Sequence, residues 1–102
     1  MPRLRIASCQ INTRVGALDH NVELILDALE RASAAGCDLA VFPELAICGY
    51  PPEDLLLKPG FIADNRAALE RVAAAARSCV AVVGFVDVDR DLYNAAAVCA
   101  HG

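Results

Sequence analysis

Asp38 is followed by four consecutive apolar residues, Leu39 to Phe42, and the run is closed by Pro43 and Glu44. Successive side chains of a strand point to opposite faces, so a strand that is apolar at every position has to be covered on both. Parallel strands flanked by helices meet that condition. Asp38 to Phe42 therefore reads as a short strand, expected to be the most buried of the chain, and the sequence on either side supplies helices to cover it. Upstream, Val22, Ile25, Leu26, Leu29 and Ala32 follow helical spacing from Asp19, a candidate N-cap, to Gly36, which offers a left-handed stop. Downstream, Ile62, Leu69, Val72, Ala73 and Ala76 give Phe61 to Arg77 the same periodicity, and its alanines add helix propensity. Before the first helix, Arg3 to Ile11 alternates as a largely apolar strand, ended by the loop Asn12 to Leu18. After the second, Val80 to Val86 is a third strand, and the polar turn Asp87 to Asp91 leads into Leu92 to Ala100 as its antiparallel partner.

The order is thus β-α-β-α-β-β, an α/β fold. The first three strands are expected to be parallel, with the first strand either between the other two or in the order 1-2-3, joined by right-handed crossovers. The final strand reaches His101 and Gly102 with no terminating helix, so the 102 residues read as the N-terminal portion of a domain truncated at its C-terminal end.

The hydrophobic share is 57% by a count that omits Gly, above the ~45–50% usual for soluble chains even with Gly included. No uncharged run approaches the ~18–20 residues of a membrane span, and Arg3 and Arg5 lead into a strand pattern rather than a signal-peptide core. The excess points instead to sheet faces covered on both sides and to a surface meant for further polypeptide. Nine basic against thirteen acidic residues give a net charge of −4 with no Lys/Arg cluster, which argues against nucleic acid as a partner. The cysteines at 9, 37, 48, 79 and 99 are odd in number and lack C-x-x-C spacing. That disfavours a disulfide framework or a metal site and fits a reducing cytoplasm.

Glu44 is the residue placed to carry chemistry. Ligands of open α/β sheets sit outside the carboxyl ends of the strands, and Pro43 stiffens the support from which the carboxylate is presented. Such a Glu can act as a general base. Position alone leaves a second reading open, that of a solvated loop acid. The Pro- and Gly-containing stretch Leu45 to Gly60 reads as a functional loop. Within it Glu53 and Asp54 follow Pro52 as first-turn acids of a short helix. Cys48 reads as a small apolar filler, and Lys58 as a solvated loop residue. His20 and His101 have no suitable partner nearby in sequence.

The first half of Asp38 to Leu57, DLAVFPELAICGYPPEDLLL, resembles the nitrilase, or carbon-nitrogen hydrolase, superfamily, in which an apolar strand ends in Pro-Glu. Its second half, GYPPEDLLL, is similar to the glutaminase domain of glutamine-dependent NAD synthetases. Gln10 in the first strand, the Val15-Gly16 loop, VVGF at Val82 to Phe85 and LYNAA at Leu92 to Ala96 are similar to the same family.

The resemblance implies part of a nitrilase-like αββα sandwich layer and a Glu-Lys-Cys triad in which Glu44 is the general base. Tyr50 would line the substrate pocket or the ammonia exit, although a Tyr between Gly and Pro also simply packs a loop. The family lysine and cysteine lie beyond the strand near Ala100 and have no counterpart here, so these residues alone are expected to be inactive. Glutamine is the implied substrate. The implied partners are the rest of the hydrolase domain, a synthetase domain and further copies in a homo-oligomer. No cofactor is implied for the glutaminase step; ATP and Mg belong only to the synthetase domain. Two rivals remain: another amidase of the superfamily, which would end after one domain, and a non-catalytic α/β interaction module, which would be monodisperse and cooperatively folded.

Overall fold

The computed structural model describes residues 3–52, 55, 58, 60–89 and 91–102. The elements follow the expected order: β1 (Ile6–Ser8), α1 (Leu18–Ala34), β2 (Leu39–Val41), α2 (Phe61–Ala75), β3 (Val80–Asp89) and β4 (Asp91–Cys99). They form one four-stranded sheet in spatial order β1-β2-β3-β4, parallel from β1 to β3 and antiparallel between β3 and β4. Of the two expected arrangements of the parallel strands, 1-2-3 is the one found.

That order decides where the helices go. Two successive crossovers of the same hand that step in the same direction leave both helices on one face of the sheet. Accordingly Val22, Ile25 and Leu29 of α1 and Ala68 and Val72 of α2 share one core with Ala40, Phe42, Ala81, Val83, Phe85 and Cys99. Each large aliphatic side chain buried there contributes about 1.5–3 kcal/mol. At the helix ends Arg71 of α2 reaches Asp19 (2.8 Å) and Glu23 (3.3 Å) of α1. These exposed pairs are each worth about 0–1 kcal/mol.

Several expectations are corrected, among them the polar turn Asp87 to Asp91, since β3 continues to Asp89 and β4 already begins at Asp91. Asp19 is not the cap of α1: the helix begins at Leu18 after Ala17, with no side-chain cap bond, and the Asp19 carboxylate is engaged by Arg71 instead. The first strand is Ile6–Ser8 rather than Arg3 to Ile11, because pairing with β2 starts only after Asp38 has bonded to Arg5 and ends with the Cys9 amide on the Val41 carbonyl. The second helix stops at Ala75, where Ala76 leaves helical geometry at ψ 74°. Finally, β2 is not the most buried strand. Leu39 and Val41 are only half-buried because both helices lie on the other face, whereas β3 is buried at Ala81, Val83, Gly84, Phe85 and Val86.

The face away from the helices stays open among the described residues, with Ile6 53% and Val98 72% exposed. The sheet is thus covered on one side, not both. The expected short helix at Glu53 and Asp54 lies outside the described residues. No described helix is long and apolar enough to cross a membrane.

Candidate active site

Glu44 stands three residues beyond the C-terminal end of β2, as the sequence anticipated, and is exposed. The chain around it is held against β3 by backbone bonds from the Phe42 amide to the Val82 carbonyl (3.0 Å) and from the Ile47 amide to the Gly84 carbonyl (3.3 Å). Between these anchors the backbone lies directly on Gly84. A Cβ at that position would stand 2.4 Å from the Leu45 nitrogen and 2.8 Å from the Pro43 oxygen. The glycine of VVGF is therefore required by close backbone approach. Leu45 then takes a positive φ of 50°, a region that bulky residues rarely occupy. Its side chain is compensated by burial with Cys48, Phe61 and Val86.

A second loop braces this turn from behind. The buried Asn21 of α1 accepts from the Arg14 amide (2.7 Å) and donates to the carbonyls of Arg14 (2.7 Å) and Ile47 (2.9 Å). The Gly16 amide donates to the Cys48 carbonyl (2.8 Å). Gly49, at φ 82°, lets the two loops touch, since a Cβ there would stand 2.7 Å from Arg14 and Val15 backbone atoms. The Val15-Gly16 loop thus serves to fix the segment that carries Glu44.

Phe42, Pro43, Glu44, Val82, Gly84, Asn94, Ala95 and Ala96 line an open cleft of about 270 Å³. Gly84, with no side chain, and the single methyl of Ala96 keep its floor low. Asn94, from LYNAA, donates its Nδ2 hydrogen to Glu44 Oε1. Sequence reasoning noted the LYNAA motif but not Asn94 as a site residue. The signal was there: a lone amide in an apolar strand, at a position whose face follows from the hairpin register.

The other candidates lie elsewhere. Cys48 is fully buried, its Sγ 3.4 Å from the Gly49 carbonyl, and burial pushes its thiol up from the ordinary value, partly offset by a hydrogen bond from its own backbone. It has the surroundings of a filler. Tyr50 is 65% exposed and is not among the residues lining the cleft. Lys58, His20 and His101 are exposed and also absent from it, and Glu53 and Asp54 fall outside the described residues. Among the described residues no three His, Cys, Asp or Glu side chains are grouped to hold a metal ion.

The chain that carries this site has counterparts among known proteins. The family model described as carbon-nitrogen hydrolase matches residues 5–102. The chain belongs to the carbon-nitrogen hydrolase family. Within this family it is 48% identical over 101 residues, 97% of its length, to a glutamine-dependent NAD(+) synthetase from Xylella fastidiosa. The solved glutamine-dependent NAD+ synthetase from Acinetobacter baumannii superposes with a TM-score of 0.81 at 32% identity, covering 96% of this chain and 19% of that one. An amidase from a Nesterenkonia species superposes equally, with a TM-score of 0.81 at 30% identity, covering 96% of this chain and 39% of the amidase. This carbon-nitrogen hydrolase chain spans about a fifth of the length of the synthetase it matches, 18% in the Xylella protein.

Proposed function

We propose that this chain is the N-terminal portion of a glutamine-hydrolysing domain that supplies ammonia to an ATP-dependent synthetase making NAD from deamido-NAD, with Glu44 as its general base. One observation carries the reading: Glu44 is exposed at the carboxyl end of β2, in a cleft, on a backbone locked at both sides. The similarity to glutamine-dependent synthetases across nearly the whole chain supports the choice of substrate.

The chemistry needs one base used twice. A cysteine thiol contributed by the rest of the hydrolase domain loses its proton to the Glu44 carboxylate as sulfur attacks the side-chain amide carbon of glutamine. A lysine from the same region stabilises the oxyanion. Glu44 returns the proton to nitrogen, the C–N bond breaks, and ammonia leaves a thioester. Water then gives a proton to Glu44 as its oxygen bonds to the acyl carbon, the C–S bond breaks with Glu44 passing that proton to the departing sulfur, and glutamate is released with the thiol and the Glu44 carboxylate restored. Tyr50, exposed on the following loop and outside the cleft that holds Glu44, would meet substrate only where the rest of the domain extends the pocket over it. In this reading the glutaminase step uses no cofactor, and ATP and Mg belong to the synthetase domain. A cytoplasmic setting accords with five free thiols, and the open sheet face with burial against further polypeptide.

The test exchanges this chain for the matching segment of the Xylella fastidiosa synthetase and measures ammonia release from glutamine. Activity in the chimaera, lost by roughly 10²-fold in turnover on Glu44→Gln, is the expected result. An inactive chimaera, or near-parental turnover in the variant, would count against the reading. The structural match to the Nesterenkonia amidase keeps a second reading in view, a simple amidase. Preference for short aliphatic amides over glutamine would favour it.

A further inference from the structure

We propose that Asn94 is a positioning residue for Glu44: it holds the carboxylate in one orientation and occupies Oε1, leaving Oε2 as the oxygen that takes and returns the proton. This rests on the reading of Glu44 as general base and says how the base is aimed. Glu44 is exposed, on a turn, and its carboxylate accepts no other hydrogen bond from the described residues. A free glutamate in such a place samples several rotamers, and a base that wanders from its proton loses rate. An ionised carboxylate only accepts, so the amide nitrogen of Asn94, not its oxygen, is the group that faces it.

Asn94 is well placed to hold a direction because it belongs to a strand rather than a loop. In the hairpin it stands opposite Val86, with Gly84 opposite Ala96 two residues along on the same face. That face is the one over which Pro43 to Leu45 pass. A slip of one residue in the β3-β4 register would send Asn94 to the helix side. The hairpin register therefore sets the aim of the base. Gly84 and Ala96, on the same face as Asn94, leave the rest of the cleft floor free for substrate.

The test is a double-mutant cycle in the synthetase chimaera, following kcat and KM for glutamine. Asn94→Ala is expected to lower kcat about tenfold with KM within about twofold, and to cost less than twofold further when added to Glu44→Gln. Asn94→Asp keeps the shape, removes the donor and sets a like charge against Glu44, so it should lower kcat more than Asn94→Ala does. A role in packing alone would leave the isosteric Asp variant near parental activity. Parental kcat in Asn94→Ala, equal effects of Ala and Asp, or losses that multiply with Glu44→Gln would overturn the proposal. If Glu44→Gln disables turnover while Asn94→Ala does not, only this inference falls; if Glu44→Gln is near parental, both fall. Should Asn94→Ala fail to fold, the exposed, isosteric Asn94→Asp carries the same cycle.

Discussion

Gly84→Ala isolates the link between the sheet and the turn that carries Glu44, because it adds one methyl group and removes nothing. That methyl would sit 2.4 Å from the Leu45 nitrogen and 2.8 Å from the Pro43 oxygen. Both are backbone atoms, so no side chain can swing away. To reach ordinary contact the turn has to lift by about 1 Å, and the Ile47 amide, already 3.3 Å from the Gly84 carbonyl, would lose its bond. Overpacking of this kind costs about 1–3 kcal/mol of stability, and a displacement of about 1 Å at a reacting group costs up to 10²-fold in rate. The assay is glutamine-dependent NAD formation in the chimaera, beside the same reaction fed with free ammonia. Glutamine-dependent turnover should fall by about 10²-fold while the ammonia-fed reaction, which bypasses the cleft, stays near parental. Unchanged glutamine-dependent turnover would show that the turn has slack and that close approach at Gly84 does not set the position of Glu44.

Asn21→Ala leaves the Arg14 amide and the Arg14 and Ile47 carbonyls without their partner. Unfolding in urea should show a loss of about 3 kcal/mol, whereas a loss under about 1 kcal/mol would mean that water replaces the amide. Burial pushes the thiols of Cys48, Cys79 and Cys99 above the ordinary value of 9.0. Their folded-state values being raised, their stabilising contribution is complete below the unfolded thiol pKa and is lost as pH climbs from there toward the folded value. Stability should accordingly drop between pH 8 and pH 10, less so in Cys48→Ala; equal urea midpoints at the two pH values would contradict this. Cys48→Ala should also keep glutaminase turnover within about twofold, and a loss like that of Glu44→Gln would recast Cys48 as the nucleophile.

The periodicities of Val22 to Ala32 and Ile62 to Ala76, the apolar run Leu39 to Phe42 and the short turn before Leu92 were enough to determine the element order β-α-β-α-β-β, since each depends on local spacing alone. Pro43-Glu44 at the end of a strand put a carboxylate where ligands of an α/β sheet bind, but position alone left a solvated loop acid open, and it was the resemblance carried by Asp38 to Leu57 that singled out Glu44 as the candidate base. What local spacing does not contain is which face each helix covers. Burial at Leu39 and Val41 was overestimated for that reason: strand order 1-2-3 puts both helices on one side, and no single segment encodes that order. The same holds for Asp19, a fair cap by type whose carboxylate is drawn to Arg71 on another helix. Gly84 could have been a weak spot in a strand; only the path of Pro43 to Leu45 across it shows why no Cβ is tolerated. The meeting of Asn94 with Glu44, fifty positions apart, required the β3-β4 register, the β2-β3 pairing and the turn between them together. Local sequence specifies the groups, while the sheet alone specifies which of them share a face.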